Sequence, residues 1–293
     1  MQELYLQHPA GAHYASMGAM HGRDSSETQL TLVTFNCMGL PFTLPGMRQR
    51  LRVAGAALAS SSADIACLQE VGRWRYLPLL HHDDGRWPFV AAAEHSYAPK
   101  GGLATLARVP ILAQEYQRFE ARGSAASLHA TERYQNKGML FTTLMLAGQA
   151  VVVINTHLAA NYNADWRYTN PYAKVERAQL REVVAAVSAI PSHTLVVVAG
   201  DFNVPRHSWL YKELCNLAGL LDPLAASHEP TYRPLPGIPA RAAQALDHIL
   251  VRVPPVLSPT FDAALCFGEP VLLQRSTMGY LSDHIGVRLR ITW

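Results

Sequence analysis

The sequence predicts one large α/β domain, on three observations. Short β-branched runs such as Leu195-Val196-Val197-Val198 read as strands buried on both faces. Stretches with apolar residues at helical spacing, at 47–60 and 173–189, alternate with those runs. No segment between them shifts in composition as a linker would, and no repeats occur, so 29–293 is expected to form a single domain. Residues 1–28, with their Gly, His, Ser and Met, read as a flexible leader. They lack the basic start and apolar run of a signal peptide. No run approaches the roughly 18 apolar residues of a membrane span, so a cytoplasmic, monomeric protein is expected.

The first strand is expected at 30–36, ending in Asn36. A turn holding Gly39, Pro41 and Pro45 leads to a helix over 47–60, with Leu51, Ala54 and Leu58 on one face and three arginines on others. A short strand at 65–68 ends in Gln69-Glu70. Residues 72–100 are mixed, and their His81-His82-Asp83-Asp84 tetrad reads as a solvated loop more than a metal patch, since nothing fixes its geometry. Strands at 102–107 and 139–146 are each preceded by Lys-Gly, and Gly148 turns the second into a strand at 151–157 that ends in His157. An irregular stretch with Asn161, Tyr162, Trp166, Tyr168 and Tyr172 follows. A helix over 173–189 then leads to the strand that runs into Gly200-Asp201-Phe202-Asn203, where Gly200 is expected to allow a tight turn. Beyond a helix near 207–218 and a Pro-rich loop at 227–243, strands are expected at 246–252, 261–267 and 285–291.

A hydrophobic fraction of 49% and a charged fraction of 16% describe a globular chain, and a net charge of +3 is too small to announce a duplex binder. The four cysteines have no Cys-x-x-Cys spacing, which argues against a zinc knuckle or a disulfide framework. Cys37 and Cys67 read as small buried thiols.

Chemistry gathers at strand ends. Four apolar strands end in Asn36, Glu70, His157, and Asp201 with Asn203; two others begin with Asp247, and with Asp283 and His284. If the last two run antiparallel to the rest, every one of these side chains falls on a single rim. Such a set suits metal-assisted phosphoryl hydrolysis. Glu70 offers a carboxylate oxygen and Asn36 an amide oxygen to a hard cation, Mg²⁺ or Mn²⁺. His284 is the expected base, with Asp247 fixing its tautomer. Asp201 orients water, while Asn203 and His157 donate to phosphate oxygens. Zinc is disfavoured, because no His-Glu-x-x-His occurs.

These motifs, Asn36, Gln69-Glu70, Thr156-His157, Gly200-Asp201-Phe202-Asn203, Leu246-Asp247-His248-Ile249-Leu250 and Ser282-Asp283-His284, resemble the endonuclease/exonuclease/phosphatase superfamily over residues 30–293. The resemblance implies a four-layered α/β/β/α sandwich of two packed mixed sheets flanked by helices, and it adds Asp283 to the metal ligands. Asn36-Cys37-Met38-Gly39-Leu40-Pro41 with its Arg-rich helix, His157 to Tyr162 followed by Arg177 and Gln179, and Asn136-Lys137-Gly138 look most like the neutral sphingomyelinase branch. That branch often has Trp at the position of Met38, a basic residue at Ala245 and an aromatic at His248. The implied substrate is a choline phospholipid such as sphingomyelin; a nucleic acid or a small phosphoester are the alternatives. Lys137, Tyr162 and Trp166 are the expected substrate contacts, the aromatics suiting either a choline cation or stacked bases. Peripheral lipid contact would fall to the loops at 72–100 or 253–280.

Overall fold

Strand β1 (Gln29–Gly39) is buried on both faces because two layers claim its alternate side chains. Leu30 and Leu32 join the core between two sheets, whereas Val33 and Phe35 pack outward against helix α1 (Met47–Ser60). This arrangement comes from a computed structural model that describes residues 27–40, 46–82, 85–122, 136–274 and 276–293. The expected leader, residues 27 and 28 apart, lies outside the described residues, as do Asp83 and Asp84 of the His81–Asp84 tetrad.

Sheet one also contains β2 (Ile65–Val71), β3 (Phe89–Ala91), β4 (Ala104–Ala107), β10 (Thr260–Cys266) and β13 (Gly286–Thr292), in the order β10-β13-β1-β2-β4-β3. Sheet two runs β5-β6-β7-β8-β9, from Ala113–Arg118, Gly138–Leu146, Gln149–His157, Leu195–Asp201 and Asp247–Arg252. The two sheets meet through Leu32, Ile65 and Cys67 on one side and Val153, Val197 and Ile249 on the other. Helices α3 (Pro171–Ala189) and α4 (Trp209–Ala218) cover the outer face of sheet two, completing the four layers.

The strand directions meet the condition for a common rim. β1 and β2 run parallel, as do β7 and β8, while β13 is antiparallel to β1 and β9 is antiparallel to β8. In sheet two, His157 is in register with Asp201 and Asp201 with Asp247; in sheet one, Asn36 pairs with Gln69. Gly200 acts otherwise than expected. It lies inside β8 in near-extended backbone, not in a turn, and a Cβ there would come 1.9 Å from the Thr156 carbonyl oxygen. The glycine permits β7 and β8 to close at the rim. Likewise a Cβ on Gly39 would come 2.5 Å from the Glu70 carbonyl oxygen.

Several elements escape sequence patterning. β5 is an edge strand of mainly exposed polar residues with no apolar alternation. A two-stranded hairpin of β11 (Val271–Gln274) and β12 (Thr277–Gly279) and the five-residue helix α2 (Leu77–His81) are too short to show a period. All four cysteines are free, and Cys37 and Cys67 are fully buried, with burial pushing both thiols up to about 12.

Candidate active site

The carboxylate of Asp247 is fully buried, and its Oδ2 lies 2.9 Å from Nδ1 of His284. Thr231 Oγ1 donates to the same oxygen at 2.6 Å and accepts from the backbone N–H groups of Leu246 and Asp247. Thus His284 carries its proton on Nδ1 toward Asp247, leaving Nε2 to face Asp201 Oδ2 at 3.7 Å. Asp201 in turn accepts from Asn36 Nδ2 at 3.0 Å and from the Asn203 backbone N–H at 2.9 Å. Asp201, Asp247 and His284 lie close enough to ligate an ion together. Asp247 Oδ2 is already bonded to His284 and Thr231, however, and Asp201 to Asn36 and Asn203, so this trio reads as an electrostatic relay.

The carboxylates of sheet one present a different case. Glu70 sits in a left-handed conformation (φ 56°) and accepts from Asn36 Nδ2 at 3.1 Å. Burial raises the Glu70 pKa, the negative charges of Asp283 and Asp201 add to the rise, and His284 and Asn36 oppose it only in part. A half-buried carboxylate in the field of two others is a donor set that a hard cation neutralises. Glu70 and Asp283 therefore fit a divalent ion. Asn36 does not present itself as expected: its Oδ1 accepts from the Met38 N–H at 3.0 Å, which turns the amide nitrogen toward both carboxylates. It acts here as a donor that holds Glu70 and Asp201, not as an oxygen ligand.

His157 also departs from expectation. Burial, the Lys137 ammonium and His284 keep it well below the usual imidazole range, so it is uncharged. Lys137 Nζ lies 3.1 Å from its Nε2 and donates to the Leu158 carbonyl at 2.7 Å. Nε2 thus faces both Lys137 and Asp201 Oδ2, the latter at 3.4 Å, while the buried Nδ1 has no hydrogen-bond partner among the described residues. Asn203 Nδ2 donates to the same Leu158 carbonyl at 3.0 Å, leaving one amide hydrogen for a ligand.

The expected neutral imidazole base is not what the electrostatics favour. Burial opposes charge on His284, but Asp247 and Asp201 outweigh it and raise its pKa well above 6.5. Asp201 is pushed up to about 6, by burial first and then by Asp247, against the pull of His284. The carboxylates thus favour the charged imidazolium at His284, while burial makes Asp201 a weaker acid than an ordinary aspartate.

Of these groups, Glu70, Lys137, His157, Asp201, Asn203, Asp283 and His284 line one cavity of about 330 Å³. Tyr97, Tyr162, Trp166, Tyr232, Ile238 and Leu246 add aromatic and apolar surface to the same cavity, the Tyr232 ring 5.0 Å from that of His284. Of the expected substrate contacts, Tyr162 is exposed at the cavity, and Lys137 lines it from a buried position. Trp166 lines it as well, but with its indole N–H committed to the Asn203 carbonyl at 3.0 Å. His248 fills the aromatic slot after Asp247, its ring 5.2 Å from Phe202 and 5.4 Å from Tyr211.

Sequence reasoning passed over Thr231, Arg50 and Asn155. Thr231 lies in the Pro-rich loop, where nothing local marks it. Arg50, one of the arginines of α1, donates to the carbonyls of Cys37, Met38 and Leu281, joining the Asn36 and Asp283 segments behind the carboxylates. Asn155 spans the sheets through Leu68 O, Ala104 O and Gln69 Nε2.

Residues 33–284 match the Endonuclease/Exonuclease/phosphatase family. The chain belongs to this family. A Drosophila melanogaster protein described as a putative neutral sphingomyelinase is 27% identical over 197 residues, 66% of this chain and 43% of that protein. The chain thus spans less than half the length of that relative, whose name agrees with the sphingomyelinase-like branch read from the motifs. Among solved structures of the same fold, a variant of beta toxin from Staphylococcus aureus with bound magnesium ions superposes with a TM-score of 0.71 at 20% identity. That match covers 89% of this chain and 99% of the toxin. D. rerio TDP2 complexed with single-strand DNA product superposes with a TM-score of 0.69 at 20% identity, covering 90% and 98%.

Proposed function

We propose that this member of the family is a Mg²⁺-dependent phosphodiesterase that cleaves the phosphodiester of a choline phospholipid such as sphingomyelin. The observation that carries the reading is a single cavity lined both by carboxylates, His284 and Lys137 and by four aromatic rings. A phosphodiester beside a quaternary ammonium asks for this pairing, since a choline cation over a Tyr or Trp face gains about 0.5–2 kcal/mol. Glu70 and Asp283 would hold the ion, which when bound polarises a phosphoryl oxygen and steadies the leaving oxygen.

The chain's own groups supply the proton transfers. Asp201, ionised above about pH 6, takes the proton of the attacking water while Asn36 and the Asn203 N–H fix its orientation. His284, held protonated by Asp247, offers Nε2–H to the negative charge that builds on the phosphoryl group. Lys137 adds a fixed positive charge behind it.

A nuclease is the second reading. It is favoured by the fold shared with a TDP2 bound to single-strand DNA product, and Tyr162 could stack a base. Against duplex DNA, Lys137 is the only Lys or Arg among the described residues lining the cavity, too few to neutralise a phosphate backbone.

The deciding test is turnover on sphingomyelin vesicles and on plasmid and single-stranded DNA, at equal enzyme and Mg²⁺. Phosphocholine release with DNA left intact is expected; DNA cleavage without phosphocholine would transfer the assignment to the nuclease. The exposed Tyr162 is the side chain to vary, and Tyr162→Ala should weaken vesicle hydrolysis while sparing bis-p-nitrophenyl phosphate.

A further inference from the structure

Trp166 forms part of the cavity wall, yet it is not a free-standing aromatic platform. Its ring packs on the core beneath α3 and α4, and its indole N–H donates to the Asn203 carbonyl at 3.0 Å. Its own carbonyl accepts from the Trp209 indole N–H at 2.6 Å. Trp209, the first residue of α4, is itself held in place: the Tyr168 ring stacks on it at 3.8 Å, and the Arg177 guanidinium lies 5.5 Å from its centroid. This accounts for the arginine that the sequence brings onto α3.

At the other end of the tether, Asn203 holds a left-handed backbone (φ 51°), which a non-glycine residue keeps only when its surroundings impose it. Three bonds impose it here. The Asn203 N–H donates to Asp201 Oδ1 at 2.9 Å, its side chain donates to the Leu158 carbonyl, and its carbonyl accepts from Trp166. The first of these orients a catalytic carboxylate, and the last comes from the cavity wall.

We propose that Trp166 is a positioning residue, whose indole N–H holds the Asn203 peptide and through it keeps the Asp201 carboxylate oriented toward the attacking water. Trp209 is the anchor that keeps Trp166 in reach. A wall residue that served only as a surface for the substrate would need its ring face but not its N–H. Trp166→Phe separates the two, keeping an aromatic ring and removing the donor.

The kinetic arm rests on the phosphodiesterase reading; a second arm does not. With bis-p-nitrophenyl phosphate and Mg²⁺, Trp166→Phe should lower kcat about five- to tenfold, the scale of one lost hydrogen bond, with KM changed less than about twofold. On an Asp201→Asn background the same change should cost nothing further, since the two act as a unit. Independently of activity, hydrogen exchange at the Asn203 amide should quicken about tenfold in Trp166→Phe, and in the same direction in Trp209→Phe. If Trp166→Phe does not fold, Trp209→Phe carries both readouts. Unchanged exchange at Asn203, unchanged kcat, or a full multiplicative loss on the Asp201→Asn background would each overturn the proposal. A wild-type enzyme inert on every phosphodiester would remove the phosphodiesterase reading, and the exchange result would still decide this one.

Discussion

The carboxylate of Asp201 and the imidazole of His284 face each other at 3.7 Å, and the carboxylates around the histidine favour its charged form. Burial pushes Asp201 up to about 6, while Asp247 and Asp201 outweigh the burial of His284 and raise it well above 6.5. The active form needs Asp201 ionised and His284 protonated. Turnover should therefore rise as pH climbs through about 6 and fall again only well above 6.5. A pH–rate series on bis-p-nitrophenyl phosphate checks this. Asp201→Asn should abolish the acid limb in the residual activity. An acid limb that survives in Asp201→Asn but vanishes in His284→Gln would make the histidine the base.

The Asp247–His284 pair is expected to behave as one device. Asp247 Oδ2 receives both the His284 Nδ1–H and the Thr231 hydroxyl, so Asp247→Asn removes the negative charge that faces the imidazole. Asp247→Asn and His284→Ala should each lower kcat about a hundredfold, and the double variant should be no worse than His284→Ala alone. Multiplying losses would give Asp247 a separate role.

Glu70 lends itself to a test in which stability and activity move apart. Its raised pKa means that the ionised form is held against burial and against Asp283 and Asp201, so the metal-free protein carries that repulsion. Glu70→Gln relieves it. The variant should melt at the same temperature as the wild type or higher in EDTA, yet lose most of its activity. Added Mg²⁺ should raise the melting temperature of the wild type and not of Glu70→Gln. Full wild-type activity in EDTA would sink the metal-dependent reading.

How much of this was legible in the sequence follows from where the information resides. Strands buried on both faces announce themselves as β-branched runs, and their polar terminal residues stand out because a core strand has no packing use for them. So Asp201, Asp247, His284, Glu70 and Asn36 fall on one rim from the sequence alone, given that β9 and β13 run antiparallel to β8 and β1. Protonation was not legible. It depends on distances between Asp201, Asp247 and His284, which lie 46 and 37 residues apart in sequence but within 4.8 Å in space. The direction of an amide was equally hidden: Asn36 faces its carboxylates with nitrogen because Met38 claims its oxygen. Trp166 reads as a substrate aromatic from its place in the aromatic stretch after His157, and only its bond to the Asn203 carbonyl gives it another task. Thr231 and Arg50 act through backbone groups far along the chain, and no local pattern encodes that.

His248 gives the last prediction. Its ring is fully buried between Phe202 and Tyr211; Nε2 donates to the Val204 carbonyl at 2.8 Å, and Nδ1 lies 3.4 Å from Arg206 Nη2. Burial, reinforced by the Arg206 charge, lowers its pKa from 6.5 to about 4 against the pull of Asp222. Unfolding frees the imidazole to bind a proton at any pH below about 6.5, whereas the folded protein leaves it neutral down to about 4. The contribution is thus fully present above pH 6.5 and is lost as pH falls toward 4, about 3 kcal/mol in all. Asp201 and Glu70, whose pKa values are raised on folding, act in the opposite sense over part of that range, so the wild-type curve alone does not isolate it. The difference between wild type and His248→Phe does. Denaturant midpoints measured between about pH 4 and 7.5 should show the stability gap moving in favour of the phenylalanine variant as pH falls, by about 3 kcal/mol across the window. A gap independent of pH would mean that His248 titrates alike in the folded and unfolded chains, and that its ring is there to fill space alone.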